Sequence, residues 1–174
     1  MREDYDLKDA DGKVVGKLLG KMFSLLRDKQ ILSDANGKKV LLLQRKFATL
    51  APTFFFYSYS PAYKGQESSD TDGDEKLYLF AELQTIMFSM PSRWNYLVYQ
   101  GEGAPTKVGE AASLCQMIYD GGVMNDIDGT AMFKFTQKSL FSGGAAGYEI
   151  EVAPGVDPLQ AIAICIAAPQ TLEN

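Results

Sequence analysis

Histidine is absent from this chain of 174 residues. Its absence excludes a Ser–His–Asp triad, a Cys–His pair, a histidine-ligated zinc site and a histidine pH switch. Cysteine is scarce, and Cys115 and Cys165 lie far apart in the chain. No Cys-x-x-Cys pair is therefore available for a zinc or thioredoxin-like site. So few cysteines are typical of a protein from a reducing compartment.

Long hydrophobic runs are also lacking. The longest, Ala161 to Pro169, falls well short of the roughly 20 residues that span a bilayer. The acidic N-terminal residues lack the apolar core of a signal peptide, and Arg2 excludes N-myristoylation. We expect a cytoplasmic protein with no transmembrane segment.

Positive charge is in deficit overall but concentrated early in the chain. The net charge is −5 and the pI about 4.8, so we expect no nucleic-acid partner. Residues 1–46 nevertheless hold 11 Lys and Arg against 7 Asp and Glu, a net charge of +4, while the remainder carries −9. The chain is therefore polarised along its length.

The basic residues of this early segment are candidates for binding anionic lipid headgroups, each cation contributing about 1 kcal/mol near a membrane surface. The candidates are Lys17, Lys21, Arg27, Lys29, Lys38, Lys39, Arg45 and Lys46. The alternative is ordinary solubilising charge. Because neighbouring residues of a strand point to opposite faces, not all eight can lie on one surface.

Turn signals recur between short apolar runs and predict a sheet-rich fold. Asp9-Ala10-Asp11-Gly12 resembles Asp34-Ala35-Asn36-Gly37, and Asp126-Ile127-Asp128-Gly129 repeats the core of the pattern. The Asp-Gly and Asn-Gly pairs predict type I′ hairpin turns. The first aspartate of each copy can accept a hydrogen bond from the backbone two residues on, as in an Asx-turn.

The apolar runs themselves predict the strands. One hairpin is expected from Phe23–Leu26 through the Asn36-Gly37 turn to Val40–Leu43, whose apolar sequence requires cover on both faces. Further strands are expected at Leu77–Phe80, Trp94–Tyr99 and Tyr148–Val152. Residues 60–76 are polar and are expected to form a mobile loop.

An aromatic strand is expected at 53–59, with Phe55, Tyr57 and Tyr59 on one face. This stripe has two interpretations. It could be a patch that inserts into a membrane or stacks on bases, or it could be one side of a strand that is covered on both sides. Long aromatic runs are usually core, which favours the second.

A hydrophobic helix is predicted over residues 157–168. Asp157 is a favoured N-cap, Pro158 suits the first helical position, and Pro169 is expected to end the helix. The helix is apolar almost all round and must be buried on all sides. One face of a flat sheet cannot enclose it, whereas a sheet wrapped into a barrel can.

The sequence contains no complete catalytic or metal-binding motif. The segment Asp70 to Glu75 begins like an EF-hand loop, but the sixth position is Glu75 and the twelfth is Ala81. Glu149 and Glu151 share a face of one strand, which indicates a solvated surface more readily than an acid–base pair. We expect no catalytic residues, no metal, no cofactor and no enzymatic activity.

Two stretches of sequence resemble a known family: Phe23 to Asp28 followed by Asp34 to Gly37, and Tyr148 to Leu159. With their order in the chain, from about residue 5 to 170, they resemble the LURP-one-related group of the tubby C-terminal-like superfamily, which also includes phospholipid scramblases. The resemblance implies one domain over 1–174, a mainly β fold with a closed antiparallel barrel of roughly twelve strands, and a central C-terminal helix.

Tubby domains bind phosphoinositides through basic residues on early strands, so the resemblance implies a lipid-binding role. We expect a non-enzymatic binding or adaptor module in the cytoplasm that docks peripherally on anionic membranes and has protein partners. The alternative is a structural or interaction subunit of a larger assembly. A scramblase is disfavoured because the chain has no acylatable cysteine cluster and no membrane helix at its C-terminus.

Overall fold

A computed structural model describes residues 4–21, 29–46, 50–101, 103–113, 121–138 and 147–170. The described chain is mainly β, with one helix at its C-terminal end. The elements are β1 (Asp4–Lys8), β2 (Val14–Lys21), β3 (Lys29–Asp34), β4 (Lys39–Lys46), β5 (Thr53–Ser58), β6 (Asp70–Asp72), β7 (Glu75–Ile86), β8 (Arg93–Val98), β9 (Thr106–Ser113), β10 (Gly121–Asp126), β11 (Ala131–Lys138), β12 (Gly147–Val152) and α1 (Pro158–Gln170). The predicted strand Phe23–Leu26 lies outside the described residues.

The twelve strands belong to one antiparallel sheet. Eleven of them are neighbours in chain order from β1 to β12, and β6 pairs with β7 off this path. The predicted number of strands and their antiparallel arrangement are confirmed. Among the described residues no ladder joins β1 to β12, so hydrogen bonds do not close the sheet into the predicted barrel.

Contacts within the chain divide it into two compact units, although the strands form one sheet. Unit 1 comprises Met1–Glu82 and Tyr99–Pro105, and unit 2 comprises Leu83–Val98 and Thr106–Asn174. Unit 1 holds β1 to β6 and the first part of β7, and unit 2 holds β8 to β12 and α1.

Three hairpin turns share one hydrogen-bonding scheme. In the copy at 34–38, Asp34 Oδ1 accepts hydrogen bonds from the backbone N–H groups of Asn36 and Lys38, both at 2.9 Å. Its carbonyl accepts from Gly37 N–H, and its own N–H donates to the Lys38 carbonyl. The turns that begin at Asp9 and Asp126 repeat these bonds. The predicted Asx-turn is confirmed three times.

The expected type I′ geometry is wrong. A type I′ turn needs positive φ at both central residues, but in the copy at 34–38 only Gly37 has it, at 81°. The equivalent glycines of the other two turns have φ of 80° and 85°. Each turn is followed by a one-residue shift in register. Each turn is therefore a type I turn closed by a glycine of positive φ. The register shift is a separate bulge in the returning strand, at Val15, Val40 or Met132.

Strands β3 to β5 of unit 1 bury side chains on both faces. We call the faces the Leu42 face, which also holds Ile31 and Tyr57, and the Leu43 face, which also holds Leu32 and Phe56. All six side chains are buried, and cross-strand register places each set together. The requirement for cover on both faces, inferred from the apolar strand Val40–Leu43, is confirmed.

The aromatic stripe on β5 belongs to the core. Tyr57 is buried in a cluster with Leu42 and Leu77 on the Leu42 face, and Phe55 and Tyr59 pack against that cluster. Phe54 and Phe56 are buried on the other face. The interpretation as a covered strand therefore holds, and most of this stripe is not available for stacking on bases or inserting into lipid.

The segment 60–76 is not a loop throughout, as the sequence predicted. β6 occupies Asp70–Asp72, and β7 begins at Glu75. The residues before β6 are tied to β7 by side-chain hydrogen bonds. Gln66 Nε2 donates to the Leu79 carbonyl at 2.8 Å, and Ser69 Oγ accepts from Leu79 N–H at 3.2 Å. Polar side chains here satisfy the backbone, which composition alone does not reveal.

Unit 2 has its own core row across four strands. Register places Trp94, Ala111, Met124 and Phe133 side by side on β8 to β11, and all four are buried. On the same face, two residues beyond Phe133 on β11, the Phe135 ring lies over Gly122. A Cβ atom at position 122 would come within 2.5 Å of that ring. Glycine is therefore required at 122 to admit the aromatic ring.

Helix α1 begins as the sequence predicts. Asp157 Oδ1 accepts a hydrogen bond from Leu159 N–H at 2.9 Å, which makes it the N-cap. The helix continues through Pro169 to Gln170 rather than ending at 168, because a proline in the last turn removes a single backbone donor.

Most of the circumference of α1 is buried. The buried residues are Ala161, Ala163, Ile164, Cys165, Ala167 and Ala168. Leu159, Ile162 and Ile166 share one side of the helix and are only half-buried. Burial on all sides was expected, but the side formed by these three residues is partly exposed.

Ile164→Asp should unfold the protein. The side chain is fully buried, and an unpaired charge there would cost about 4 kcal/mol or more of the unfolding free energy. Urea denaturation followed by circular dichroism measures this cost. Ile164→Val is the control and should cost only about 1 kcal/mol. A folded Ile164→Asp protein with unchanged stability would contradict the buried helix.

Asp34→Ala should lower the unfolding free energy by about 1–2 kcal/mol, because two backbone N–H groups lose their acceptor. Asp34→Asn keeps an oxygen at Oδ1 and should recover most of the loss. Chemical denaturation of the three proteins tests this. Equal losses for Ala and Asn would mean that the carboxylate charge, rather than its geometry, stabilises the turn.

Candidate functional site

The basic residues predicted to bind lipid lie in unit 1 and divide between its surfaces. Cross-strand register assigns positions 17, 29, 39 and 46 to the Leu42 face and pairs Lys21 with Lys29 along the backbone. Arg45 alternates onto the Leu43 face. Lys38 is exposed in the turn, and Arg27 lies outside the described residues.

Lys39 is engaged by carboxylates. Its Nζ donates to Asp72 Oδ2 at 2.8 Å and forms a second ion pair with Glu75. Tyr59 Oη donates to the same Asp72 oxygen at 3.1 Å, and the ammonium lies 5.4 Å from the Tyr59 ring centroid. Lys39 therefore fastens the β6–β7 hairpin to β4.

The ionisation of this cluster follows from its geometry. Hydrogen bonds to Asp72 and Glu75 raise the pKa of Lys39. Burial, with the charge of Asp72 next to it, raises the pKa of Tyr59. Both groups keep their protons at neutral pH. With two carboxylates against one ammonium, the cluster has a net negative charge and is a poor place for a phosphate.

Lys17 has an acidic neighbour as well. It lies on β2 directly opposite Asp6 of β1, and both side chains are exposed. Opposite charges at facing positions of an antiparallel pair attract each other. Lys17 and Lys39 thus each have an acidic neighbour on the Leu42 face.

The other end of the Leu42 face is different. Lys29 faces Gln44 across the β3–β4 ladder, so Lys46, two residues further along β4, is its diagonal neighbour at about 7–8 Å. Lys46 Nζ also lies 4.7 Å from the Phe55 ring centroid. We call Lys29, Gln44, Lys46 and Phe55 the basic end.

Gln44 is the unexpected member of the basic end. Its side chain is only 6% exposed, and its Oε1 atom has no hydrogen-bond partner among the described residues. Burying an amide without a partner is costly.

The chain just beyond β4 adds an apolar element. Leu50, in the connection between β4 and β5, is fully exposed. Residues 35–66, which include this connection, hold five Lys and Arg and no Asp or Glu. Positive charge beside an exposed leucine is the combination that favours an anionic membrane interface.

Unit 2 presents carboxylates instead. Glu149 and Glu151 are exposed on one face of β12, as the sequence predicts for a solvated strand. Glu110 pairs with Arg93 and Lys107. Burial alone would raise the pKa of Glu110, but those two cations hold it below its ordinary value. A carboxylate held ionised in this way is a structural ion-pair partner rather than a proton donor.

The described part of the chain contains no group of three or more His, Cys, Asp or Glu side chains placed to hold a metal ion. The EF-hand-like segment uses Asp72 and Glu75 to bind Lys39, and Asp126 caps its turn. A helix with the length and hydrophobicity of a membrane span is also absent from the described residues.

Tyr59→Phe should make stability less sensitive to alkali. Because the folded-state pKa of Tyr59 is raised, the unfolded chain loses that proton first, above about pH 10. The unfolding free energy then falls as pH rises, by up to about 1.4 kcal/mol per pH unit for one such group.

Urea titrations between about pH 9 and pH 11.5 compare the slopes. The Tyr59→Phe slope should be shallower than that of the wild type. Equal slopes for the two proteins would mean that Tyr59 ionises in the folded state as it does in the unfolded chain.

The described geometry can be set beside known proteins. The model of the LURP-one-related family matches residues 1–168. No curated protein matches the chain. Among solved structures, a protein of unknown function from Bacteroides fragilis NCTC 9343 is similar at 11% identity, with 88% of this chain and 93% of that chain covered and a TM-score of 0.32, too low to support any inference. Because the family match extends over nearly the whole sequence, the protein belongs to the LURP-one-related family.

Proposed function

We propose that this protein is a non-enzymatic membrane-docking module whose basic end binds the phosphate groups of anionic lipids, phosphoinositides in particular. The observation that carries the proposal is the pair of lysines, Lys29 and Lys46, set diagonally around the buried amide of Gln44. A phosphate placed there meets two cations that lie over a buried polar group.

The Gln44 amide fits this role in either orientation. Rotating the amide by 180° exchanges the positions of its oxygen and its NH₂ group. A monoanionic phosphate has an O–H donor for the oxygen, and a dianionic phosphate accepts from the NH₂ group. The amide thereby distinguishes phosphate from a purely electrostatic partner.

Only some of the eight basic residues predicted to bind lipid belong to the proposed site. Lys29 and Lys46 form its centre, and Lys21, opposite Lys29 in the backbone register, adjoins it. Lys39 and Lys17 have acidic neighbours. Lys38 lies in the turn before β4, eight residues from Lys46, or about 26 Å at 3.3 Å per residue. Leu50, exposed beside the basic end, adds apolar contact.

We also propose that the sheet wraps around α1 as a barrel, although hydrogen bonds do not close it. Support comes from the burial of Ala161, Ile164 and Cys165 on one side of α1 together with Ala163 and Ala167 on the other. A single flat sheet covers one side of a helix. Ala167→Asp tests this enclosure. A flat sheet that covers the side of Ala161 and Cys165 would leave position 167 open to water, whereas an enclosing sheet makes the variant as unstable as Ile164→Asp.

A peripheral position at cytoplasmic membranes follows from the proposal, and protein partners remain part of it. The competing role, a structural subunit of a larger assembly, does not require a phosphate site. It therefore becomes the better account if the basic end does not bind lipid.

The double variant Lys29→Ala/Lys46→Ala should bind phosphoinositide vesicles at least tenfold more weakly than the wild type, at about 1 kcal/mol per lysine. Sedimentation with phosphatidylcholine vesicles, with and without phosphoinositide, at low and high salt measures this. Lys13→Ala/Lys38→Ala is the matched control. It removes the same charge from exposed turn positions and should bind like the wild type.

Gln44→Leu separates a site from a charged surface. Replacing a buried unpartnered amide by an apolar group of similar size should leave stability unchanged or higher. Binding to phosphoinositide should fall, while salt-sensitive binding to phosphatidylserine should persist. Equal weakening by both double lysine variants, or no wild-type binding at low salt, would retire the basic end as a lipid site.

A further inference from the structure

The connection between β7 and β8 carries an apolar tip in unit 2. Phe88 is 98% exposed and Met90 is 77% exposed, and Met87 beside them is also exposed. We call Met87, Phe88 and Met90 the β7–β8 tip. Large apolar side chains exposed singly are ordinary on protein surfaces. Three within four residues form a patch, which marks a contact surface.

The backbone of the tip is held in one uncommon conformation. Phe88 has φ of 61°, and it is the one non-glycine residue with positive φ in the described part of the chain. This region is sterically unfavourable for a bulky side chain. Such strain persists where the surroundings enforce it, and it concentrates at functional sites.

Ser89 provides that enforcement. Its hydroxyl donates to the Ile86 carbonyl at 2.9 Å and accepts from Arg93 N–H at 3.0 Å. One side chain therefore ties the last residue of β7 to the first residue of β8. The tip is pre-organised with the Phe88 ring pointing away from the protein, so ordering it costs little when it binds.

We propose that the β7–β8 tip inserts into the interfacial region of a lipid bilayer. The size of the patch favours lipid over a protein partner, because a stable protein interface buries about 800 Å² on each side and three side chains supply much less. A bilayer interface demands no complementary shape and accepts aromatic and aliphatic side chains projecting from a surface.

Charge around the tip agrees with this occupant. No Asp or Glu occurs in residues 83–101, and the charged residue nearest to the tip along the chain is Arg93. Arg93 is paired with Glu110. An anionic membrane surface is therefore not repelled by the segment that enters it. The inference rests on the proposed membrane docking and adds an apolar contact to the electrostatic one.

The test places a fluorescent side chain at the tip. Phe88→Trp is compared with the wild type, whose single tryptophan, Trp94, is fully buried and gives a constant background. On addition of vesicles of phosphatidylcholine and phosphatidylserine, the emission that the variant adds should shift to the blue and be quenched by lipids brominated in their acyl chains.

Binding measurements complete the test. Phe88→Ala should weaken vesicle binding about tenfold, since it removes an aromatic side chain from lipid contact, and the loss should persist at high salt. Ile127→Ala is the matched control. It removes another large apolar side chain, 65% exposed at the β10–β11 turn, and should bind like the wild type.

The outcomes separate the two proposals. If the lysine variant of the basic end binds weakly while Phe88→Ala binds normally and Phe88→Trp shows no shift, docking stands and tip insertion is wrong. If the wild type binds no vesicles, both are wrong. If the Phe88→Trp emission shifts with protein concentration in the absence of lipid, the tip packs against a second copy of the chain, and insertion is overturned.

Discussion

The register of the sheet depends on one aspartate in each of three turns. The carboxylate of Asp9, Asp34 or Asp126 holds two backbone N–H groups. The strand that follows each turn has a bulge of one residue, three positions after the turn's glycine. In a strand, a slip of one residue sends every side chain to the opposite face. Without the bulge in the β3–β4 hairpin, Lys39 would lie on the Leu43 face instead of the Leu42 face. The ion pairs of Lys39 require the register that the bulge sets.

The lysines of unit 1 differ in the side chains that surround them. Near the turns, Asp72 and Glu75 from the β6–β7 hairpin engage Lys39, so positive charge there stabilises the chain itself. At the far end of β4, Lys46 rests on an aromatic ring and lies beside a buried amide. One strand thus carries a lysine held by carboxylates at one end and a lysine packed on an aromatic ring at the other.

Local features of the fold could be predicted from sequence, whereas features set by distant contacts could not. The N-cap at Asp157 and the Asx-turn at Asp34 depend on atoms within a few residues, and both were predicted correctly. The turn type was not, because Asp-Gly and Asn-Gly occur in type I turns with a bulge as well as in type I′ turns. The carboxylates that engage Lys39 lie 33 and 36 positions away. The exposure of Phe88 could not be predicted, because an apolar run such as Ile86-Met87-Phe88 is more often buried.

The second residue of the three turns carries side chains of very different size. The second residue of each is Ala10, Ala35 or Ile127, and none of their side chains takes part in the hydrogen bonds that close the turn. Alanine and a largely exposed isoleucine are tolerated alike. Hairpin ends in this architecture can therefore acquire new surface chemistry by substitution at a site that the pairing of the strands ignores.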